Sequence, residues 1–214
     1  MSQRFLRARR PEHKQERREA ILAAARALAA ESGVRNVTLG GIAEAVGLAK
    51  SNVARYFGTR EEIYLALTAE CWQDWADEVR QRLEAGDDPV DVLAETLSAR
   101  TLFCDLLGQM TTNLEHNVAV AAAADLKGAI LEILTGLGAT IVRVRPDLTE
   151  SEAFELAAAS TAFAGVLYQS ANPPPAIVEV YKQFPELGFA CLPFQPTMKR
   201  VVSVLLAGLP ATRD

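Results

Sequence analysis

The sequence has few of the residues that build common catalytic and metal sites. It contains 3 cysteines and 2 histidines in 214 residues. Cys71, Cys104 and Cys191 are odd in number, widely spaced and set among apolar residues, which favours buried or half-buried reduced thiols over a disulfide framework or a zinc site. There is no glycine-rich phosphate loop, metal-ligand spacing or G-x-S-x-G motif. We therefore expect no enzymatic activity, no metal and no cofactor.

Long apolar runs and export signals are also absent. The longest apolar stretch, Leu156 to Tyr168, has 13 residues, whereas a membrane-spanning helix needs about 20. The N-terminal segment MSQRFLRARRPEHKQERREA is charged throughout and contains no apolar core of the kind that a secretory signal requires. The sequence thus predicts a cytoplasmic protein with no membrane partner.

Charge is divided unevenly along the chain. Residues 1–60 contain 12 Lys and Arg against 5 Asp and Glu, whereas residues 61–214 contain 10 against 22, and the net charge is -5. A switch of sign at one point predicts a basic module for a polyanion, joined to an acidic body with another task. The predicted domains are residues 1–60, with a basic N-terminal arm, and residues 61–214.

Hydrophobic periodicity predicts an all-α fold. Glu12 to Ser32 has apolar residues at helical spacing and is followed by Gly33, and Thr38 can cap a short second helix that Gly47 closes. A third helix is expected from Lys50 to Phe57, which completes a helix-turn-helix outline. Further helices are expected at Thr59–Glu84, Val90–Leu107, Met110–Asn117, Val118–Val144, Thr149–Ser170, Ala176–Phe184 and Pro196–Gly208.

The third predicted helix has a polar exposed face. At helical spacing, Ala49, Val53 and Phe57 turn toward the core of the module. Ser51 and Arg55 then point away from it, with the remaining residues at the flanks and edges of the exposed face: Lys50, Asn52, Ala54 and Tyr56. Amide, hydroxyl and cationic groups on one exposed face are the groups that read base edges and hold phosphates. The alternative is a merely solvated helix face, which would leave the charge division unexplained.

Several motifs in this region resemble those of a known family. The residues concerned are Thr38, Ile42-Ala43, Val46-Gly47-Leu48, Val53 and Tyr56-Phe57-Gly58-Thr59-Arg60-Glu61-Glu62-Ile63. Together they resemble the N-terminal signature of the TetR (tetracycline-repressor) family of bacterial transcription regulators. The resemblance covers about Arg17 to Leu65. It implies a helix-turn-helix DNA-binding domain followed by a larger helical domain that binds a small-molecule effector and forms a homodimer.

The resemblance also implies a set of DNA contacts. Lys50, Ser51 and Asn52 match positions that usually read bases, and Thr38, Arg55, Tyr56 and Arg60 match positions that usually hold the DNA backbone. The chain departs from the family at Ala49, where a capping residue is frequent, and at Ala54, where Tyr is common. Ala54 offers only a methyl group and cannot form a hydrogen bond with DNA. We therefore expect Arg55 to reach further into the groove, and we place it with the base-reading residues.

The acidic body suggests a dimer interface and an effector pocket. Small and apolar residues on two predicted helices favour close approach of a second copy, with the interface expected at Ala158, Thr161, Ala162, Gly165, Val201 and Leu205. Aromatic and polar residues of consecutive helices favour an apolar effector pocket at Trp72, Trp75, Phe103, Met110, Asn113, His116 and Asn117. In both cases the alternative is ordinary packing in the core of one chain.

Together these features predict a ligand-responsive transcriptional regulator. It would act as a repressor that binds a palindromic double-stranded operator as a dimer and is released by a small, largely apolar effector. The alternative is a helical adaptor that binds proteins without sequence-specific DNA binding. The two differ in salt dependence, because release of counterions makes DNA binding weaken steeply as salt rises.

Overall fold

The structure is a computed structural model that describes the backbone of residues 3–213 and, among their side chains, those of residues 13–213 apart from Thr111 and Ala190. The predicted all-α class is confirmed, and the described residues include no strand. The α-helices are α1 (Gln3–Ser32), α2 (Leu39–Ala45), α3 (Lys50–Val53), α4 (Arg60–Glu84), α5 (Pro89–Ser98), α6 (Thr101–Gln109), α7 (Val120–Val144), α8 (Glu150–Ala171), α9 (Pro175–Gln183) and α10 (Phe194–Gly208).

Short side chains fix where several helices begin. The Thr38 hydroxyl accepts a hydrogen bond from the Gly41 N–H, and the Thr59 hydroxyl accepts one from the Glu62 N–H. At α8, Thr149 and Glu152 form a reciprocal capping box. Each cap satisfies a backbone donor that has no partner inside its helix.

Some predicted boundaries were wrong. The helix expected from Val90 to Leu107 is two helices that break at Ala99 and Arg100, where the Arg100 guanidinium donates to the Thr96 carbonyl oxygen at 3.1 Å. This side-chain bond occupies a carbonyl oxygen in the last turn of α5, and no glycine or proline marks the break. The segment expected as the helix Met110–Asn117 is a π-helical turn, Met110–Leu114, that continues α6. Likewise, α1 already begins at Gln3 and not at Glu12.

Two apolar cores lie along the described chain. We call residues 13–58 the head and residues 89–213 the body. The first core belongs to the head and to the helices beneath it, and its buried residues include Ile21, Ala25, Val34, Ile42, Val53, Phe57, Ile63, Leu67, Leu106 and Leu126. The second lies in the body and includes Trp75, Val79, Leu83, Leu93, Phe103, Leu137, Leu156 and Val202. Since α4 contributes to both cores, it connects head and body mechanically.

The thiols differ from one another in exposure. Burial raises the pKa of Cys104 to about 12 and that of Cys71 to about 11, so both stay protonated at neutral pH. Cys191 is exposed, against the prediction that all three would be at least half-buried. Among the helices that the structure describes, none is long and apolar enough to cross a membrane.

Candidate nucleic-acid interface

The reading segment, which we define as Lys50 to Phe57, begins after a glycine turn. Gly47 has a φ of +64°, a conformation that suits glycine, and it separates α2 from α3. Ala49 is the N-cap of α3 and provides no side-chain hydrogen bond. Regular α-helix ends at Val53, and the Tyr56 and Phe57 N–H groups both donate to the Val53 carbonyl oxygen. The segment is therefore a single helical turn followed by a tighter one, shorter than the predicted helix.

Two buried side chains anchor the reading segment. Val53 and Phe57 lie in the first core, as their spacing predicted. The guanidinium carbon of Arg18 on α1 lies 4.1 Å from the centroid of the Phe57 ring, a cation–π contact that packs α1 against the segment. Ala49 is exposed, against the prediction that it faces the core, because its place at the start of the helix holds it outside the packed turn.

The other side chains of the segment form a polar surface. Tyr56 is half-buried, and five residues are exposed: Lys50, Ser51, Asn52, Ala54 and Arg55. Beside this surface lies a shallow cavity of about 460 Å³. It is lined by Lys14 of α1 together with Asn52, Arg55 and Tyr56. Sequence reasoning missed Lys14 and Arg18, although they stand four residues apart, at the spacing that places side chains on one helix face. The arrangement offers cations and amides on one surface of the head.

Arg60 has a different environment from the one expected. Its Nε donates to the Val37 carbonyl oxygen at 2.5 Å, its Nη2 donates to the Val34 carbonyl oxygen, and its Nη1 pairs with Glu61 at 2.9 Å. The guanidinium also lies over the Tyr64 ring, and only 17% of the side chain is exposed. In this structure Arg60 ties α4 to the turn after α1, so it cannot reach a phosphate without giving up these bonds.

Glu62 links the end of the reading segment to the body. Its carboxylate accepts from the Gly58 N–H at 2.8 Å and from the Ala119 N–H at 3.2 Å. Ala119 precedes α7, and its methyl side chain offers no cap. One carboxylate thus satisfies backbone donors on both sides of the junction between head and body.

The residues expected around an effector fall into two separate groups. Trp72, Trp75 and Phe103 are buried against one another, with ring centroids 5.3–5.9 Å apart. Met110 is also buried, but it belongs to the first core. Asn113, His116 and Asn117 are exposed and line a surface groove with Arg35 and Arg60. The structure does not bring the seven residues together in one pocket, because the aromatic stripe is filled by its own packing.

Two tryptophans of this cluster differ in hydrogen bonding. The Trp75 indole N–H donates to the Thr96 hydroxyl at 2.9 Å. The Trp72 indole N–H is buried and has no hydrogen-bond partner among the described residues. An unmet donor in an apolar core costs about 1–3 kcal/mol, so the buried Trp72 N–H is a local cost in this cluster.

The residues expected at a dimer interface are also divided. Ala162 is exposed, and Ala158, Val201 and Leu205 are partly buried. Thr161 and Gly165 are buried within the chain, and a Cβ on Gly165 would lie 2.8 Å from the Gly108 backbone nitrogen. Gly165 therefore packs α8 on α6, and Thr161 is buried with its hydroxyl bonded to the Ala157 and Ala158 carbonyl oxygens of its own helix. Large exposed apolar side chains lie near the others: Phe163, Val166 and Val204.

Protein-family models match the chain over two adjacent ranges. The model for bacterial regulatory proteins of the tetR family matches residues 21–67. The model for the tetracyclin repressor-like C-terminal domain matches residues 69–213, which is more than half of the chain. No curated protein matches the chain significantly in sequence.

Solved structures share the fold over nearly the whole chain. Thermus thermophilus FadR, a TetR family transcriptional repressor in complex with lauroyl-CoA, is 19% identical, with a TM-score of 0.57 over 92% of this chain and 96% of that one. RolR in complex with resorcinol is 18% identical, with a TM-score of 0.56 over 96% and 97%. The fatty acid degradation regulator FadR from Bacillus halodurans is 15% identical, with a TM-score of 0.53 over 92% and 99%. At such identities the likeness concerns the fold.

Proposed function

The chain belongs to the TetR family of bacterial transcription regulators, and from that premise we propose that it is a ligand-responsive repressor that binds a palindromic DNA operator as a homodimer. The observation that carries the proposal is the reading segment. It presents polar and cationic side chains to solvent while Val53 and Phe57 hold it to the core. This is the surface that a helix needs in order to enter the major groove.

We assign the proposed contacts from exposure and side-chain chemistry. Lys50, Ser51, Asn52 and Arg55 face the base edges, and Thr38 and Tyr56 face phosphates. The Thr38 hydroxyl oxygen accepts a hydrogen bond from the Gly41 N–H. Its O–H group is therefore free to donate a hydrogen bond to a phosphate. Lys14 adds a cation at the edge of the segment. Arg60 contributes by holding the turn after α1 in place.

The proposed division of labour follows the chain. Residues 1–60 bind DNA, and residues 61–214 bind the effector and the second copy. The dimer interface is placed on the apolar side chains that α8 and α10 leave exposed, around Phe163, Val166 and Val204, with Ala162, Ala158, Val201 and Leu205 beside them. One short reading segment covers only a few base pairs, so a two-fold pair is needed for an operator of useful length.

Release from DNA requires coupling between the body and the head. An effector releases the DNA when it binds one conformation more tightly than the other. The favoured conformation must be the one that does not fit the operator. The physical links are α4, which is shared by both cores, and Glu62, which bonds to both Gly58 and Ala119. A shift of α7 or α4 would therefore tilt the reading segment.

The proposed effector is small and largely apolar and carries a hydrogen-bond acceptor. Relatives of the same fold were solved with lauroyl-CoA and with resorcinol. In this chain the aromatic cluster is closed, so an effector would enter by displacing part of it and would meet the unpartnered Trp72 N–H. Asn113, His116 and Asn117 lie apart from this route, on the surface groove.

Selection of bound DNA from a random pool tests the proposal directly. We expect enrichment of a two-fold symmetric sequence, and binding that weakens steeply as salt rises because bound phosphates release counterions. Enrichment of no symmetric sequence, or affinity that salt leaves unchanged, would favour the protein-binding adaptor instead.

Variants of the reading segment then test the assigned residues. Arg55→Ala with Tyr56→Phe should weaken binding to the selected sequence by about tenfold or more, because contacts to bases and phosphates are lost. Arg35→Ala is the matched control, since it removes an exposed arginine outside the reading segment. Equal affinities of the double variant and the control would show that the reading segment is assigned wrongly.

A further inference from the structure

A cleft lies between the turn after α1 and the body, away from the reading segment. It has a volume of about 550 Å³, within the usual range for small-molecule sites. Its head side is formed by Ser32, Gly33, Arg35 and Asn36, and its body side by Asp105 and Gln109 of α6 and Tyr168 and Gln169 of α8. Three consecutive prolines, residues 173–175, form a stiff wall at one end.

Asp105 is the charged group at the bottom of this cleft. The residue is only 7% exposed. One carboxylate oxygen accepts from the Val34 N–H at 2.8 Å, and the other accepts from the Gln169 amide at 2.9 Å. In both hydrogen bonds the Asp105 oxygens act as acceptors.

Asp105 forms no ion pair with a described side chain, and Arg60 bonds to the neighbouring Val34 carbonyl oxygen and to Glu61 instead. The two hydrogen-bond partners of Asp105 are neutral. Arg35 lines the same cleft, but its side chain is exposed at the rim. A cation placed in the cleft would add the ion pair that Asp105 does not form with a described side chain.

We propose that this cleft is a binding site for a small organic cation, an aliphatic or aryl-alkyl amine, whose ammonium group pairs with Asp105. Each carboxylate oxygen has a second lone pair for the ammonium, because an oxygen of this kind accepts more than one hydrogen bond. The Tyr168 ring adds an aromatic wall, and burial raises the pKa of its phenol, which therefore stays neutral. An amine is thus favoured over a metal ion, since Asp105 is the only carboxylate among the residues that line the described cleft.

An occupant of the cleft would contact three parts of the molecule. The turn after α1 belongs to the head, α6 carries Asp105, and the end of α8 carries Tyr168 and Gln169. The ligand would therefore fix the position of the head relative to α8. This site is separate from the aromatic cluster proposed for the apolar effector, and binding there can be measured on the protein without DNA.

Calorimetric titration of the full chain with matched probes tests the site. Benzylamine and benzyl alcohol have nearly the same shape, and only the amine is charged at neutral pH. We expect benzylamine to bind at least about tenfold more tightly than benzyl alcohol, because only the amine gains the charge interaction with Asp105. Cyclohexylamine and 1,4-diaminobutane extend the comparison to aliphatic amines.

Two variants separate the proposed site from a general charge effect. Asp105→Asn keeps the side-chain shape and one acceptor for Val34, and should abolish the preference for benzylamine over benzyl alcohol. Glu155→Gln, at an exposed position of α8, makes the same change in net charge and should retain the preference. Circular dichroism and the urea midpoint establish that each variant is folded.

A third variant tests the site with Asp105 intact, in case Asp105→Asn is unstable. Asn172→Lys adds an ammonium group at the rim of the cleft and should weaken amine binding severalfold through repulsion. The proposal is overturned if none of the three amines binds at about 10 mM, or if benzylamine binds equally well to the wild type and to a folded Asp105→Asn or Asn172→Lys variant. Failure to bind an operator would leave these results intact, so the two proposals stand or fall separately.

Discussion

Gly108 and Gly165 bring the backbones of α6 and α8 into direct contact. A Cβ on Gly108 would lie 2.8 Å from the Gly165 carbonyl oxygen, and a Cβ on Gly165 would lie 2.9 Å from the Leu107 carbonyl carbon. Neither distance is compatible with a side chain unless the helices separate. The packing of α8, and hence of the surface proposed for the dimer, depends on this pair.

We predict that Gly165→Ala destabilises the protein. The added methyl group must push α6 and α8 apart, which typically costs about 1–3 kcal/mol in a packed core. Gly128→Ala is the control, since a Cβ at this helical position meets nothing within 4 Å and alanine favours the helix by up to about 1 kcal/mol. Urea unfolding of both variants measures the difference. Equal stabilities would mean that the two helices are not held at this distance.

Arg60→Ala should also lower stability, although the resemblance places Arg60 among DNA-contacting residues. The change leaves the Val34 and Val37 carbonyl oxygens without their charged donor, a loss of about 2–3 kcal/mol. Arg55→Ala removes an exposed arginine and should change the free energy of unfolding by less than about 0.5 kcal/mol. If Arg60→Ala is as stable as the wild type but loses operator affinity, Arg60 contacts DNA after all.

Val166→Glu should dissociate the proposed dimer. Val166 is 65% exposed in one chain and would be buried between two, where an unpaired carboxylate is costly. We expect the dimer dissociation constant to rise by at least about tenfold in sedimentation equilibrium. Leu131→Glu makes a similar change on α7, where the side chain is 57% exposed, and should leave the dimer intact. Dissociation by both variants would move the interface to include α7.

The pair of Glu152 and Arg213 predicts a pH dependence of stability. The Arg213 hydrogen bond and the Thr149 backbone N–H lower the pKa of Glu152 from 4.5 to about 2. Because the pKa is lower in the folded state, this carboxylate stabilises the fold above about pH 4.5, and the contribution is lost as the pH falls toward 2.

Glu152→Gln should therefore show a smaller loss of stability than the wild type as the pH is lowered through that window. The measurement is the free energy of unfolding in urea at a series of pH values. Glu155→Gln, at an exposed position on the same helix, should follow the wild type. A wild-type pH slope in Glu152→Gln would mean that the bond to Arg213 does not form in solution.

The sequence predicted the head well because its signals are local. Thr38 caps α2, Gly47 forms the turn, and Val53 and Phe57 are buried as their spacing requires. The hydrogen bonds of Arg60 could not be predicted from the sequence in the same way. Its acceptors are backbone carbonyl oxygens 23 and 26 residues earlier in the chain. Every residue offers such an oxygen, so no pattern of side chains marks the partners.

In the body, hydrophobic periodicity predicted which side of each helix is buried, but not which residues or cavity that side packs against. The stripe containing Trp72 and Trp75 is the same whether it lines a cavity or packs against Phe103, and the structure has the second arrangement. Gly165 was expected to permit close approach of a second copy, and in the structure it lies against α6 of the same chain. No helix-breaking residue marks the break at Arg100, whose side chain bonds to the Thr96 carbonyl oxygen, so propensity alone did not reveal it.

The construction of the reading segment has a consequence for how such regulators diverge. Apart from the half-buried Tyr56, only Val53 and Phe57 of its eight residues are needed to hold it in place, and the remaining side chains have no part in the core. Under the proposed assignment of these residues to DNA, substitutions at the exposed positions alter which DNA is bound while leaving the free energy of folding almost unchanged. A duplicated copy of this chain could thus acquire a new target site through a few surface changes, without first having to become more stable.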